Sequence, residues 1–278
     1  MIDSHCHFDL AAFDADRNQV IQNCEKQGLS ALLVPGLGLN QSQDLRSFAT
    51  QYSTDKLQLD IAAGFHPYFL KEIFPESGSS EKWETVWQAQ LDGMYEHLAK
   101  YHDEYVAVGE FGIDGTLSTD LELQMQVFRD QLSLAKHFKK PVILHHRKSH
   151  NELIRLLKEE AFTGGGVVHA FSGSAEIAHT YVELGLCLGI GGTITYPRGA
   201  KTRRAIADIS FDSMLLETDA PDMPMHGYQG MRNTPERLHL VAQALAETKG
   251  VSLKDVIKNT TQTYQRLFYR QERLPKTV

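Results

Sequence analysis

His5 and His7 flank a single residue in the opening segment MIDSHCHFDL. If the segment is a buried strand, alternation puts both imidazoles on one face and Cys6 on the other, away from them. Adjacent buried imidazoles need a partner for every ring nitrogen, and a metal ion can serve both rings. A pair of hydrogen-bonded structural histidines would leave the same local pattern, so the rest of the chain must decide. Thirteen histidines invite a search for further ligands. They recur at His66 in GFHP, at His145 and His146 before Arg147, and at His169 in HAFSG. Glu110 follows YVAVG, and Glu217 and Asp219 lie in ETDAP.

The elements that would position these residues are short apolar runs alternating with amphipathic stretches. MIDSH, SALLVPG, LQLDIAAGFH, YVAVGE, PVILHH, GGVVHA, GLCLGIGG and SMLLET read as strands, several of them continuous in Val, Ile and Leu. Continuous apolar runs suit parallel strands covered on both faces. Helix signals lie between them. Thr119-x-x-Glu122 forms a capping box, Ser174 caps a helix that stops at Gly185, Pro235 opens one that stops at Gly250, and Ser252 caps the last. The pattern predicts a (β/α)8 barrel in one domain over residues 1–278, with a doubly wound sheet as the competing arrangement. PESGSSEK at 75–82 reads as an insertion loop after the third strand.

In a barrel the carboxyl ends of the strands meet at one mouth. Each candidate alone has an ordinary explanation: a turn at His66-Pro67, a Glu110–Arg147 pair, or an Asx-turn at Asp219. Together, six metal-competent residues end five different strands. His145 follows PVIL directly and is taken as the inward member of its pair. Six ligands exceed one tetrahedral ion and suit two that share a carboxylate. The spacing gives one ion to His5, His7, Glu110 and Asp219, with Glu110 bridging to a second held by His145 and His169. Nitrogen and oxygen ligands accommodate Zn, Mn, Ni or Co, and Mg less comfortably. Asp219 would accept the proton of a shared water, and Glu217 would hold a ligand histidine from behind. His66, Arg147, Tyr196 and Arg198 are the candidate substrate contacts, the arginines for phosphate, Tyr196 for stacking on a base, and His66 either to donate to a phosphate oxygen or to sit near the second metal. Lys148, Lys201, Arg203 and Arg204 read as solvated charges.

The motifs DSHCHFD, GFHP, VGEFGID, PVILHHRKSHNEL, VVHAFSGS, GIGGTITYPRGAKTR and LLETDAPDMP occur in this order. The chain thereby resembles the TatD family of metal-dependent deoxyribonucleases, within the amidohydrolase-like barrels. The resemblance implies two-metal ligands at His5, His7, Glu110, His145, His169 and Asp219, the same six that spacing selects. Gly115 after Asp114, and DMP after Asp-Ala-Pro, depart from the commonest family pattern. Neither departure touches a ligand.

An apolar share of 42% and a charged share of 23% fit a globular chain with a sizeable core. No apolar run approaches a membrane span. The formal charge of −7 opposes broad attraction to duplex nucleic acid or anionic membrane. Single-stranded DNA ends or small phosphodiesters are the expected substrates, with hydrolysis of a C–N or C–O bond, amidase- or lactonase-like, as the alternative. Three cysteines without CxxC spacing, and opening residues unlike a secretory signal, point to a reducing cytoplasm. A monomer without an obligate protein partner is expected.

Overall fold

The computed structural model describes residues 1–74 and 80–269. Eight parallel strands pair in chain order. They are β1 (Ile2–Asp3), β2 (Ala31–Val34), β3 (Gln58–Ala63), β4 (Tyr105–Asp114), β5 (Val142–Arg147), β6 (Gly166–Val168), β7 (Leu186–Ile190) and β8 (Met214–Leu216). The helices are α1 (Arg17–Lys26), α2 (Leu39–Tyr52), α3 (Leu70–Ile73), α4 (Ser80–Tyr101), α5 (Leu121–His137), α6 (His150–Glu159), α7 (Ala175–Glu183), α8 (Ala200–Ile206), α9 (Leu238–Lys249) and α10 (Leu253–Phe268). This is the (β/α)8 barrel that the alternation predicts. Of the expected insertion loop, residues 75–79 lie outside the described residues, and α4 begins at Ser80.

The strands are buried on both faces, as their apolar runs require. Leu32 and Val34 pack outward with the helices, whereas Ala31 and Leu33 join Ile143, Val167 and Leu215 inside the barrel. Tyr264 and Phe268 of α10 belong to that inner cluster, and the Tyr264 hydroxyl donates to Asp60 at 2.6 Å. The end where the strands start is thus plugged, which leaves their carboxyl ends open for a site.

The seam between β8 and β1 is closed largely beyond the strands themselves. The Ser4 amide donates to the Leu216 carbonyl (2.8 Å), the Asp219 amide to His5 (2.9 Å) and the His7 amide to Ala220 (2.8 Å). Asp3 is fully buried beside them and accepts from the amides of His5 and Thr218 and from the Thr218 hydroxyl. Burial pushes its carboxyl up to about 8. The segments carrying His5, His7 and Asp219 are therefore tied to one another by their backbones.

Several boundaries differ from the sequence reading. β1 ends at Asp3, so His5 and His7 follow the strand. β4 runs to Asp114, which places Glu110 within a strand and not at its end. Its pairing with β5 shifts between Gly109 and Phe111, and Glu110 occupies the irregularity. Gly109 has φ +151° there, and a Cβ would stand 2.6 Å from the Ile143 Cβ. The N-cap of α5 is Asp120, one residue after the expected Thr119, and its side chain accepts from the amides of Glu122 and Leu123. Ser174 and Ser252 cap α7 and α10 as expected, and Gly250 closes α9 in the left-handed conformation.

At Gly112 β5 leaves no room for a side chain on β4, since a Cβ would lie 1.9 Å from the His145 carbonyl oxygen. Gly112→Ala should therefore cost about 1–3 kcal/mol through overpacking. Chemical denaturation measures this directly, and an unchanged unfolding midpoint would contradict the close approach.

Candidate metal centre

Glu110 is completely buried, and its two carboxylate oxygens face different sets of histidines. Oε2 lies 3.0 Å from His5 Nε2 and 3.6 Å from His7 Nε2. Asp219 Oδ1 stands 3.6 and 3.5 Å from the same two nitrogens. Oε1 lies 2.9 Å from His145 Nδ1, 3.0 Å from His169 Nε2 and 3.3 Å from His66 Nε2. The His5 and His169 rings stack with centroids 4.0 Å apart, which brings the two sets side by side. All six expected ligands thus meet at one place, and His145 is the member of its pair that turns inward. Cys6 is buried and directs Sγ to the Ala220 carbonyl, apart from the cluster.

The donor set fits divalent cations. Subsets of these side chains bring their ligand atoms within 4.8 Å of one another, the reach of a single ion. Glu110 Oε2 is buried without a hydrogen-bond partner, an arrangement that is costly unless a cation completes it. Charge states agree in part. Burial opposes ionisation of Glu110, yet His169, His66, His5 and the His145 hydrogen bond hold its carboxyl well below the usual carboxylate range. Burial also holds His7 well below the usual imidazole value, so its ring is neutral and able to ligate. His169 goes the other way: burial opposes its proton, but Glu110 and Glu217 raise it well above the usual value. A cation would have to displace that proton.

Carboxylates stand behind two of the rings. Glu217 Oε1 lies 3.6 Å from His169 Nδ1 and also accepts the Ala170 amide. This is the position expected for Glu217. Asp114 Oδ2 lies 3.5 Å from His145 Nε2, while its Oδ1 accepts from the Thr116 amide and hydroxyl. Asp114 was not anticipated, because the strand was expected to end four residues earlier. Two buried amides of α5 complete the support. Gln124 accepts from the Asp114 amide (2.9 Å), and Gln131 clamps Phe65 by accepting from its amide (2.7 Å) and donating to its carbonyl (3.1 Å). Their seven-residue spacing puts both on the face of α5 that carries Phe128, a polar interruption of an apolar stripe that was available as a signal.

The cluster forms the floor of a pocket of about 700 Å³. Leu10, Leu37, Tyr68, Phe69 and Met223 come from the loops after β1, β2, β3 and β8 and make an apolar wall. Arg147 and Ser172 come from β5 and the loop after β6, across the barrel. Arg147 is exposed and, among the described residues, makes no ion pair. His66 and Arg147 therefore border the pocket as expected. Tyr196 and Arg198 do not. The Tyr196 hydroxyl donates to the Pro224 carbonyl (2.6 Å), its ring lines a separate hollow with Arg203 and His226, and Arg198 stacks on that ring.

A family model described as TatD related DNase matches residues 2–269. The chain belongs to that family. As a TatD-type protein it is a metal-dependent hydrolase. It is 39% identical to the uncharacterised metal-dependent hydrolase YjjV of Escherichia coli over 250 residues, 89% of this chain and 90% of YjjV. The crystal structure of that TatD homologue superposes with a TM-score of 0.83 at 36% identity, covering 97% of this chain and 98% of the other. Human deoxyribonuclease TATDN3 is 28% identical over 96% of this chain and 94% of its own.

If Asp114 and Glu217 orient His145 and His169, their loss should weaken cation binding while every ligand stays in place. Asp114→Asn and Glu217→Gln are each expected to lower cation affinity by about 10–100-fold. Equilibrium dialysis with metal analysis checks this; wild-type affinity in both variants would contradict it.

Proposed function

We propose that this TatD-family hydrolase is a two-metal phosphodiesterase, an exonuclease-like deoxyribonuclease acting on single-stranded DNA ends or small phosphodiesters. The two-cation reading rests above all on the division of Glu110, with Oε2 turned to His5 and His7 and Oε1 to His145 and His169. One divalent cation would be held by His5, His7, Glu110 and Asp219, and the other by Glu110, His145 and His169. Zinc, manganese, nickel or cobalt suit these donors, with magnesium less favoured. Such a pair supplies Lewis acidity that makes a shared water nucleophilic near neutral pH and stabilises charge on the phosphoryl oxygens.

The protein's own groups supply the rest. Asp219, whose Oδ1 stands beside His5 and His7 at the edge of the cluster, accepts the proton of the attacking water. Arg147 at the rim offers the fork geometry that binds a phosphate. Across the mouth, Tyr68 and Phe69 offer aromatic faces to a terminal base. The pocket admits a chain end or a small diester, and the chain's formal charge of −7 disfavours a long duplex. The name of human TATDN3 supports DNA as substrate class, whereas the YjjV name stops at metal-dependent hydrolase. Three buried free cysteines are in keeping with a cytoplasmic protein. Among the described residues no helix is long and apolar enough to cross a membrane.

The apolar wall of Leu10, Leu37 and Phe69 also favours a second reading, hydrolysis of a C–N or C–O bond in a small amide or lactone. End-labelled single-stranded DNA incubated with Mg2+ or Mn2+ should shorten stepwise. Arg147→Ala should raise KM for phosphodiesters, and Asp219→Asn should lower kcat by about 10²–10⁴-fold. Intact DNA alongside turnover of neutral amides or lactones, unaffected by Arg147→Ala, would transfer the assignment to the second reading.

A further inference from the structure

The rings around Glu110 differ in what stands behind them. His169 presents Nε2 to Glu110 Oε1 and turns Nδ1 toward Glu217. His145 presents Nδ1 and turns Nε2 toward Asp114. Neither contact, at 3.6 and 3.5 Å, is a hydrogen bond, but a carboxylate behind a ring favours the proton on the rear nitrogen and so leaves the forward one its lone pair to ligate. His66 is arranged the opposite way. It caps the turn Pro67–Phe69, and its Nδ1 accepts the Tyr68 backbone amide at 3.1 Å. An accepting Nδ1 carries no proton, so in the neutral ring the hydrogen is on Nε2.

The forward atom of His66 is therefore an N–H. Nε2 stands 3.3 Å from Glu110 Oε1 and 3.2 Å from His145 Nδ1, and the ring borders the pocket. Turning the ring over would break the Tyr68 bond. The neighbouring backbone is also fixed, since Gln131 clamps Phe65 at both its amide and its carbonyl. Proximity alone groups His66 with Glu110 and His145 as a possible ion site, but a protonated nitrogen has no lone pair to give.

We infer that His66 is a hydrogen-bond donor to the substrate, offering its Nε2–H to an ester oxygen beside His145 and His169, and is not a metal ligand. The inference rests on the hydrolase reading, yet holds for a phosphoryl or a carbonyl oxygen alike. The turn that fixes the tautomer also carries Tyr68 and Phe69, so one short segment sets both the donor and part of the apolar wall.

Long-range proton–nitrogen NMR on zinc-loaded protein labelled with 15N-histidine reads the tautomer directly. The expected spectrum shows His66 protonated at Nε2 and bare at Nδ1. The reverse tautomer, or a zinc-ligated Nε2, overturns the inference. His66→Phe should keep the wild-type number of cations per chain while kcat falls on the order of 100-fold. His66→Gln, which restores an N–H, should recover part of that loss. Loss of one cation equivalent in His66→Phe, or an unchanged kcat, overturns the donor role. Fewer than two cations in the wild type would defeat the two-metal reading instead, leaving the tautomer measurement to decide this one.

Discussion

A completely buried carboxylate without compensation would be among the most costly groups in the molecule, and Glu110 is one placed at its centre. What offsets the cost is a ring of imidazoles from four other parts of the barrel. His5 and His7 approach one oxygen, and His66, His145 and His169 the other. The irregularity at Gly109 lets the backbone of β4 pass close to β5 while presenting Glu110 inward. The strand ends, the loop supports and the pocket all depend on this one side chain being shared.

Support for the centre is distributed by position around the barrel. On the side of β8 and β1, backbone bonds and the buried Asp3 hold the segments of His5, His7 and Asp219 together. On the side of β3 to β5, the rigid face of α5 does the equivalent work through Gln124 and Gln131. The protein thus fixes its inner ligands with second interactions made away from the pocket, leaving the mouth free to vary in chemistry. An apolar wall faces an arginine across that mouth, a combination suited to a substrate with one anionic and one ring-like part.

Much of this was legible in the chain. Apolar runs alternating with capped amphipathic stretches specify the barrel, and asking what residue type ends each run picks out His5, His7, His145, His169 and Asp219. Glu110 was found for a partly mistaken reason, since its strand continues past it to Asp114. Irregular pairing is a property of two strands together and leaves little local trace. Asp114 was missed with it. Gln124 and Gln131 were not singled out, because periodicity marks the buried face of a helix without saying that a polar group there has a backbone partner. Tyr196 and Arg198 were placed by chemistry alone; the loop folds their side chains onto Pro224 and onto each other, outside the lining of the main pocket. The tautomer of His66 depends on an amide two residues on, which composition and spacing do not encode.

The central claim is that Glu110 is shared by two cations. Anomalous diffraction from crystals grown with manganese or zinc tests it most directly. Two peaks about 3.5–4 Å apart, one at each oxygen of Glu110, are the predicted result. A single peak, or a pair with Glu110 turned away from both, would contradict it.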